Sequence, residues 1–120
     1  MAVRGIRGAT RVTRDDPDEI HEAVVELMSA MLERNSLDTD ALISVLFTAT
    51  PDLVSTFPAA AARTLGLGDV PLLCTVELNI TGALDKVLRV LAHVDTELTR
   101  REISHVYLRG AEVLRVDLAQ

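Results

Sequence analysis

The stretch Pro71–Val94, PLLCTVELNITGALDKVLRVLAHV, constrains the chain most. Its first part, Leu72–Leu78, is apolar and bounded by Pro71 and Asn79, the pattern of a short strand. Its second part begins at Thr81, a good N-cap residue, and sets Leu84, Val87, Leu88 and Leu91 at i, i+3, i+4 and i+7. That spacing predicts a helix with one apolar face. Three unusual groups fall in this one unit: the only cysteine, Cys74; a carboxylate inside the apolar strand, Glu77; and Arg89. Helical geometry sets Arg89 roughly 150° from the centre of the apolar stripe. On pattern alone it is a solvated arginine on the outer face of a helix.

The flanking chain supplies the rest of a fold. Ala2–Val12 reads as a strand, with Val3, Arg7 and Arg11 on one face and Arg4, Ile6 and Thr10 on the other. Arginines on so short a strand either guard a sheet edge or bind a ligand. Gly5 and Gly8 mark a bulge or a close backbone approach. No Gly-Lys-Ser/Thr follows, so the stretch is not a phosphate-binding loop. Asp16-Pro17-Asp18-Glu19 starts a helix that runs to about Arg34 and buries Ile20, Val24, Leu27 and Met31. Ala41–Thr50 is nearly all apolar or β-favouring and reads as a central strand, ended by Pro51-Asp52. Phe57-Pro58 opens a short helix, Pro58–Leu65, closed by Gly66. Phe57 is either a hydrophobic staple or an exposed anchor.

Thr99-Arg100-Arg101-Glu102 has the capping-box pattern of a helical turn. His105–Leu108 and Glu112–Val116 read as two strands joined by a hairpin at Arg109-Gly110, with Tyr107 on the same face as His105. The expected fold is α+β: a mixed five-stranded sheet with two long helices on one face. The other sheet face needs a cover, and another subunit is expected to supply it.

At 120 residues the chain is expected to form a single domain, 1–120. It is 48% apolar with only three aromatics, so its core is built from Leu, Val, Ile, Ala and Met. There is no run of about 18 apolar residues to span a membrane, and the N-terminus MAVRGIRGAT has no apolar core of a signal peptide. One cysteine cannot form an internal disulfide, which suits a cytoplasmic protein. The net charge of −6 argues against nucleic acid and anionic membranes as partners. Three scattered histidines and one cysteine show no metal-ligand spacing, and no metal or cofactor is expected. The basic residues are eleven arginines and the single Lys86, either a bias of base composition or a choice of the planar fork that binds carboxylates.

No serine or cysteine nucleophile with a histidine partner emerges from spacing, and no carboxylate pair suggests a glycosidase. What remains is Arg7, Arg63, Arg89 and Arg115 with Glu77 and Tyr107. That set suits a small polyanionic substrate held by charge-assisted hydrogen bonds, and it names no reaction by itself.

Beyond residue chemistry, the chain resembles the small monofunctional chorismate mutases, the homotrimers of the pseudo-α/β-barrel class. The matching stretches run in order along nearly the whole chain: Val3–Thr10, Thr48–Leu53, Phe57-Pro58-Ala59, Cys74–Glu77, Thr81–Leu84, Arg89-Val90, His105–Leu108 and Val113-Leu114-Arg115. The resemblance implies the Claisen rearrangement of chorismate to prephenate in aromatic amino-acid biosynthesis, a unimolecular reaction needing no nucleophile, metal or proton transfer. It implies that Arg89 is the cation at the breaking ether bond, that Arg7 and Tyr107 hold carboxylate, and that Glu77 accepts from the ring hydroxyl with help from Cys74 or its backbone. Leu73, Cys74, Thr75 and Val76 would line the site, with Leu114 and Arg115 from the tail. Family sites lie between subunits, so Phe57, Ala59 and Arg63 would come from a neighbouring chain. On an ideal strand, however, Cys74 and Glu77 point to opposite faces. Two departures are visible: Ala60 stands where the family often has lysine, and Val116 follows Arg115 where proline is usual. A non-catalytic small-acid sensor would use the same arginines, and a trimeric imine deaminase of similar architecture would also use an arginine and a cysteine.

Overall fold

The structure, a computed structural model, describes residues 1–114. In chain order the elements are β1 (Ala2–Arg11), α1 (Pro17–Glu33), a 3₁₀ turn (Thr39–Ala41), β2 (Leu42–Ala49), α2 (Pro58–Arg63), β3 (Leu72–Val76), β4 (Val87–Thr96), β5 (Val106–Tyr107) and a 3₁₀ turn (Ala111–Val113). The strands form one mixed sheet in the order β3-β2-β4-β1-β5. β4 runs antiparallel to both β1 and β2, while β2–β3 and β1–β5 are parallel. This is an α+β fold with a mixed five-stranded sheet and two helices.

The principal correction concerns Thr81–Val94. The expected helix there is a strand, β4, and the long helices number one rather than two among the described residues: α1 has 17 residues and α2 only six. Leu84, Val87, Leu88 and Leu91 match a helical period, but Val87–Val94 also alternates. Leu88, Val90, Ala92 and Val94 are buried in the core, whereas Arg89, Leu91 and His93 are half-buried on the opposite face. Register with β1 from Arg11↔Val87 to Ala2↔Thr96 and with β2 on the other side satisfies this strand's backbone along both edges. Pairing on both sides outweighs a weak local preference for helix. Gly82 at φ 84° and Lys86 at φ 54° also interrupt any helix before Val87.

The C-terminal part differs too. The second strand expected at Glu112–Val116 begins instead as the 3₁₀ turn Ala111–Val113, with Leu114 in αR geometry; Arg115 and Val116 lie outside the described residues. Arg109 and Gly110 both have positive φ and turn the chain into that 3₁₀ segment rather than into a hairpin. Thr99–Glu102 forms a single turn, with the Thr99 amide donating to Glu102 Oε1 at 2.8 Å and the Glu102 amide to the Thr99 carbonyl at 3.0 Å.

The α1 start is as expected. Asp16 caps the helix by accepting from the Glu19 amide at 3.0 Å, and Pro17 follows in the first turn. Ile20, Val24, Leu27 and Met31 are buried, joined by Ala23 and Met28. Both helices pack on one sheet face, where Ile6, Phe47, Val90 and Val106 complete the core. The opposite face carries Val3 and Arg7 of β1, Leu46 and Thr48 of β2, Leu73 of β3 and Arg89, Leu91 and His93 of β4. Much of it remains accessible, Leu73 at 64% and Val3 at 59%. No helix of the described residues is long and apolar enough to cross a membrane.

Candidate active site

The open sheet face contains a cavity of about 210 Å³. Arg7, Glu77, Arg89 and Tyr107 all line it, joined by Gly8, Ala9, Leu46, Thr48 and residues of β4. Each charged group arrives from a different strand for a local reason. Arg7 points to this face because it alternates with the core residue Ile6. Arg89 alternates with Leu88 and Val90 in the same way. Glu77 lies one residue past β3, but its amide donates to the Ala49 carbonyl at 2.9 Å, which extends the β2–β3 pairing and keeps its side chain on the open face. Tyr107 comes from β5, which pairs with β1 at Gly8 and Ala9.

The polar groups are incompletely paired. Arg89 Nε is 3.3 Å from Glu77 Oε2, close enough for an ion pair, yet its N–H makes no hydrogen bond and is buried. The N–H therefore does not aim at the carboxylate. The Tyr107 hydroxyl is likewise buried without a partner among the described residues. Buried polar atoms of native proteins nearly always have partners, so two such atoms bordering one cavity mark a place for ligand oxygens. The same oxygen, Glu77 Oε2, also accepts from the Thr48 hydroxyl.

The three arginines of β1 have different fates. Arg4 Nε donates to the Leu98 carbonyl at 3.1 Å, Arg11 pairs with Asp85, and only Arg7 borders the cavity, with no ion pair among the described residues. The Arg7 amide donates to His105 Nδ1 at 2.9 Å. Burial, and secondarily the Arg7 charge, push the His105 pKa below its ordinary value. The shift favours the neutral ring, and the Arg7 amide bond requires Nδ1 to be its unprotonated nitrogen.

The other sequence-derived candidates lie elsewhere. Cys74 faces the helix side, packed against the core beside its partner Phe47, and so points away from Glu77. With Thr75 and Val76 it borders a second hollow, formed with Thr50, Pro51 and the Val54–Pro58 loop. Leu73 is exposed on the open face and does not line the Arg89 cavity. Leu114 borders a third hollow, which continues from Glu77 and Arg89 past Leu78 and Ile80. Phe57 is 71% exposed, so it is not a hydrophobic staple; Arg63 is exposed, while Ala59 is on the buried side of α2. Arg115 lies outside the described residues. The sequence reading passed over Thr48, although its place beside Arg89 in the β2–β4 register makes it central to the site. Its signs in the sequence are a hydroxyl in a largely apolar strand and its place at the start of the matching stretch Thr48–Leu53.

No group of three His, Cys, Asp or Glu side chains that could hold a metal occurs among the described residues. The arrangement offers cationic and phenolic donors and one carboxylate acceptor around a small concavity, a geometry that binds anions and stabilises charge as it develops.

Known proteins share this architecture and sequence. The chorismate mutase type I family matches residues 3–118. The chorismate mutase AroH of Thermus thermophilus is 49% identical over 117 residues, covering 97% of this chain and 96% of that protein. Its namesake from Bacillus subtilis is 42% identical over 120 residues, covering 99% and 94%. A solved chorismate mutase from Clostridium thermocellum superposes with a TM-score of 0.89 at 44% identity, covering 91% of this chain and 97% of that one. Agreement in sequence and in fold over almost the entire length has one consequence: the chain belongs to the type I chorismate mutase family.

Proposed function

We propose that this chain is an isomerase that rearranges chorismate to prephenate by charge stabilisation and conformational restriction, with no covalent intermediate. The observation that supports the reading most directly is that Arg89 Nε and the Tyr107 hydroxyl are both buried without a hydrogen bond, on residues that line one cavity. As the ether C–O bond breaks, its oxygen gains negative charge, and a fixed guanidinium facing it lowers the barrier. Arg7 and Tyr107 hold substrate carboxylate, and Glu77 accepts from the ring hydroxyl. Together they keep the enolpyruvyl arm folded over the ring in a reactive conformation. Cys74, pointing to the other face, takes part only through the strand it belongs to.

We further propose that the working form is a homotrimer of 1–120 domains in the cytoplasm, with sites between subunits. The open sheet face and the exposed Phe57 and Arg63 support this. A neighbouring chain would bring Phe57, Ala59 and Arg63 to the cavity rim, and Leu73–Val76, Leu114 and Arg115 would complete its edge.

The test is to follow loss of chorismate absorbance and formation of prephenate with purified protein. Arg89→Ala should lower kcat by roughly 10²–10³, the cost of removing one comparable oxyanion donor. Arg89→Lys should recover only part of this, because a point charge lacks the guanidinium fork. Absence of turnover in the parent protein, or near-normal kcat in Arg89→Ala, would refute the reading.

A further inference from the structure

We infer that Thr48 is a positioning residue: its hydroxyl holds the Glu77 carboxylate off Arg89, so that Arg89 keeps its Nε–H for the substrate. The inference rests on the reading of Arg89 as the cation that meets the substrate.

The sheet order places Thr48 between the two charged groups. Arg89 is its partner across β2–β4, and Thr75, two residues before Glu77, is its partner across β2–β3. Glu77 and Arg89 thus start from strands that flank β2 on opposite sides, with backbones roughly 10 Å apart at ordinary strand spacing. Their side chains reach toward one another over Thr48.

An unconstrained carboxylate and guanidinium that meet in a half-buried site would form a direct, charge-assisted hydrogen bond. Here they do not. Glu77 Oε2 accepts from Thr48 Oγ1 and stands 3.3 Å from Arg89 Nε, whose N–H remains without a hydrogen bond. The Glu77 side chain is 18% exposed and that of Arg89 40%, so solvent has limited access to the carboxylate. The hydroxyl donates to the same oxygen that faces the arginine and so competes with it for that acceptor. Glu77 still lends its charge to orient Arg89, while the N–H stays without a hydrogen bond. Without the hydroxyl, that carboxylate oxygen still has Arg89 Nε as a donor 3.3 Å away. Substrate would then have to break an internal hydrogen bond before using Arg89.

Thr48→Val keeps the shape and removes the hydroxyl. It should lower kcat/KM by about tenfold, the scale of one hydrogen bond redirected, and Thr48→Ser should restore most of the loss. Placed on Glu77→Ala, Thr48→Val should cause no further loss, because Thr48 acts only through that carboxylate. In the substrate-free protein, the Arg89 Hε proton seen by NMR should exchange with solvent more slowly in Thr48→Val than in the parent, since it is newly bonded to Glu77. Thr48→Ala carries the same test if valine disturbs the sheet. Parent-like kinetics in both hydroxyl-free variants, an equal loss on the Glu77→Ala background, or unchanged Arg89 Hε exchange would each overturn the inference. The exchange measurement needs no turnover, so it decides the role of Thr48 even where the parent protein fails to convert chorismate.

Discussion

Single residues of the proposed site are left incompletely satisfied. Arg89 and Tyr107 each carry a buried donor without a hydrogen bond, whereas His105 Nδ1 accepts the Arg7 amide. Protonating His105 would replace that acceptor with a donor and place a second cation beside Arg7. Its folded-state pKa is depressed below 6.5, so the unfolded chain takes up the proton first as pH falls. The stability His105 contributes is therefore complete above about pH 6.5 and is lost as pH drops from there through the lower folded-state value. Thermal unfolding followed from pH 8 to pH 5 should show this decline. His105→Gln, whose amide oxygen can still accept, should flatten it. The carboxylates with lowered pKa values, Glu19 through its Thr13 hydrogen bonds and Asp85 through those from Arg11 and Lys86, act in a separate window. Their contributions are lost only as pH falls below the ordinary carboxylate values of 4.5 and 3.8.

At the scale of elements, the sheet positions the site and α1 positions the sheet. Gly8 borders the cavity with its backbone while its other side meets α1. A Cβ there would overlap Met31 Sδ and lie 3.1 Å from Leu27 Cδ1, both on buried side chains of the helix. The glycine allows a close approach of helix to strand, and its place next to Arg7 couples that approach to the site. Gly8→Ala should destabilise the protein by about 1–3 kcal/mol, the usual range for overpacking a filled core. It should also raise KM by shifting Arg7. Denaturant unfolding and steady-state kinetics on the same preparation check both effects, and parent-like stability would show that the helix yields without strain.

At the scale of the whole molecule, the proposed trimer would cover the open sheet face and complete the proposed site. Equilibrium sedimentation should give three times the chain mass at assay concentrations, and a monomer there would refute the proposed trimer. Local charge should also prevail over the net charge of −6 at the cavity mouth. KM for the dianionic substrate should rise with ionic strength as the attraction to Arg7 and Arg89 is screened, and a flat profile would show that exposed charge plays no part in capture.

Local chemistry in the sequence was enough to determine several parts of this protein. Asp16-Pro17 and the Ile20, Val24, Leu27, Met31 stripe specified α1, since caps and a 3.6-residue period act within a few turns of chain. Alternation specified β1 and set Arg7 on the face opposite Ile6, and the order of motifs indicated the family. The identity of β4 was not legible, because Val87–Val94 satisfies the helical and the extended period alike, and only the two strands beside it decide between them. The same pairing moved Arg89 from a supposed solvated helix face to a cavity wall. Thr48 was hidden for a related reason: a threonine in an apolar strand is unremarkable until non-local register sets it between Glu77 and Arg89. Sequence determines what each segment prefers and which groups it carries; which groups meet is decided by long-range strand pairing, whose hydrogen bonds join residues far apart in the chain.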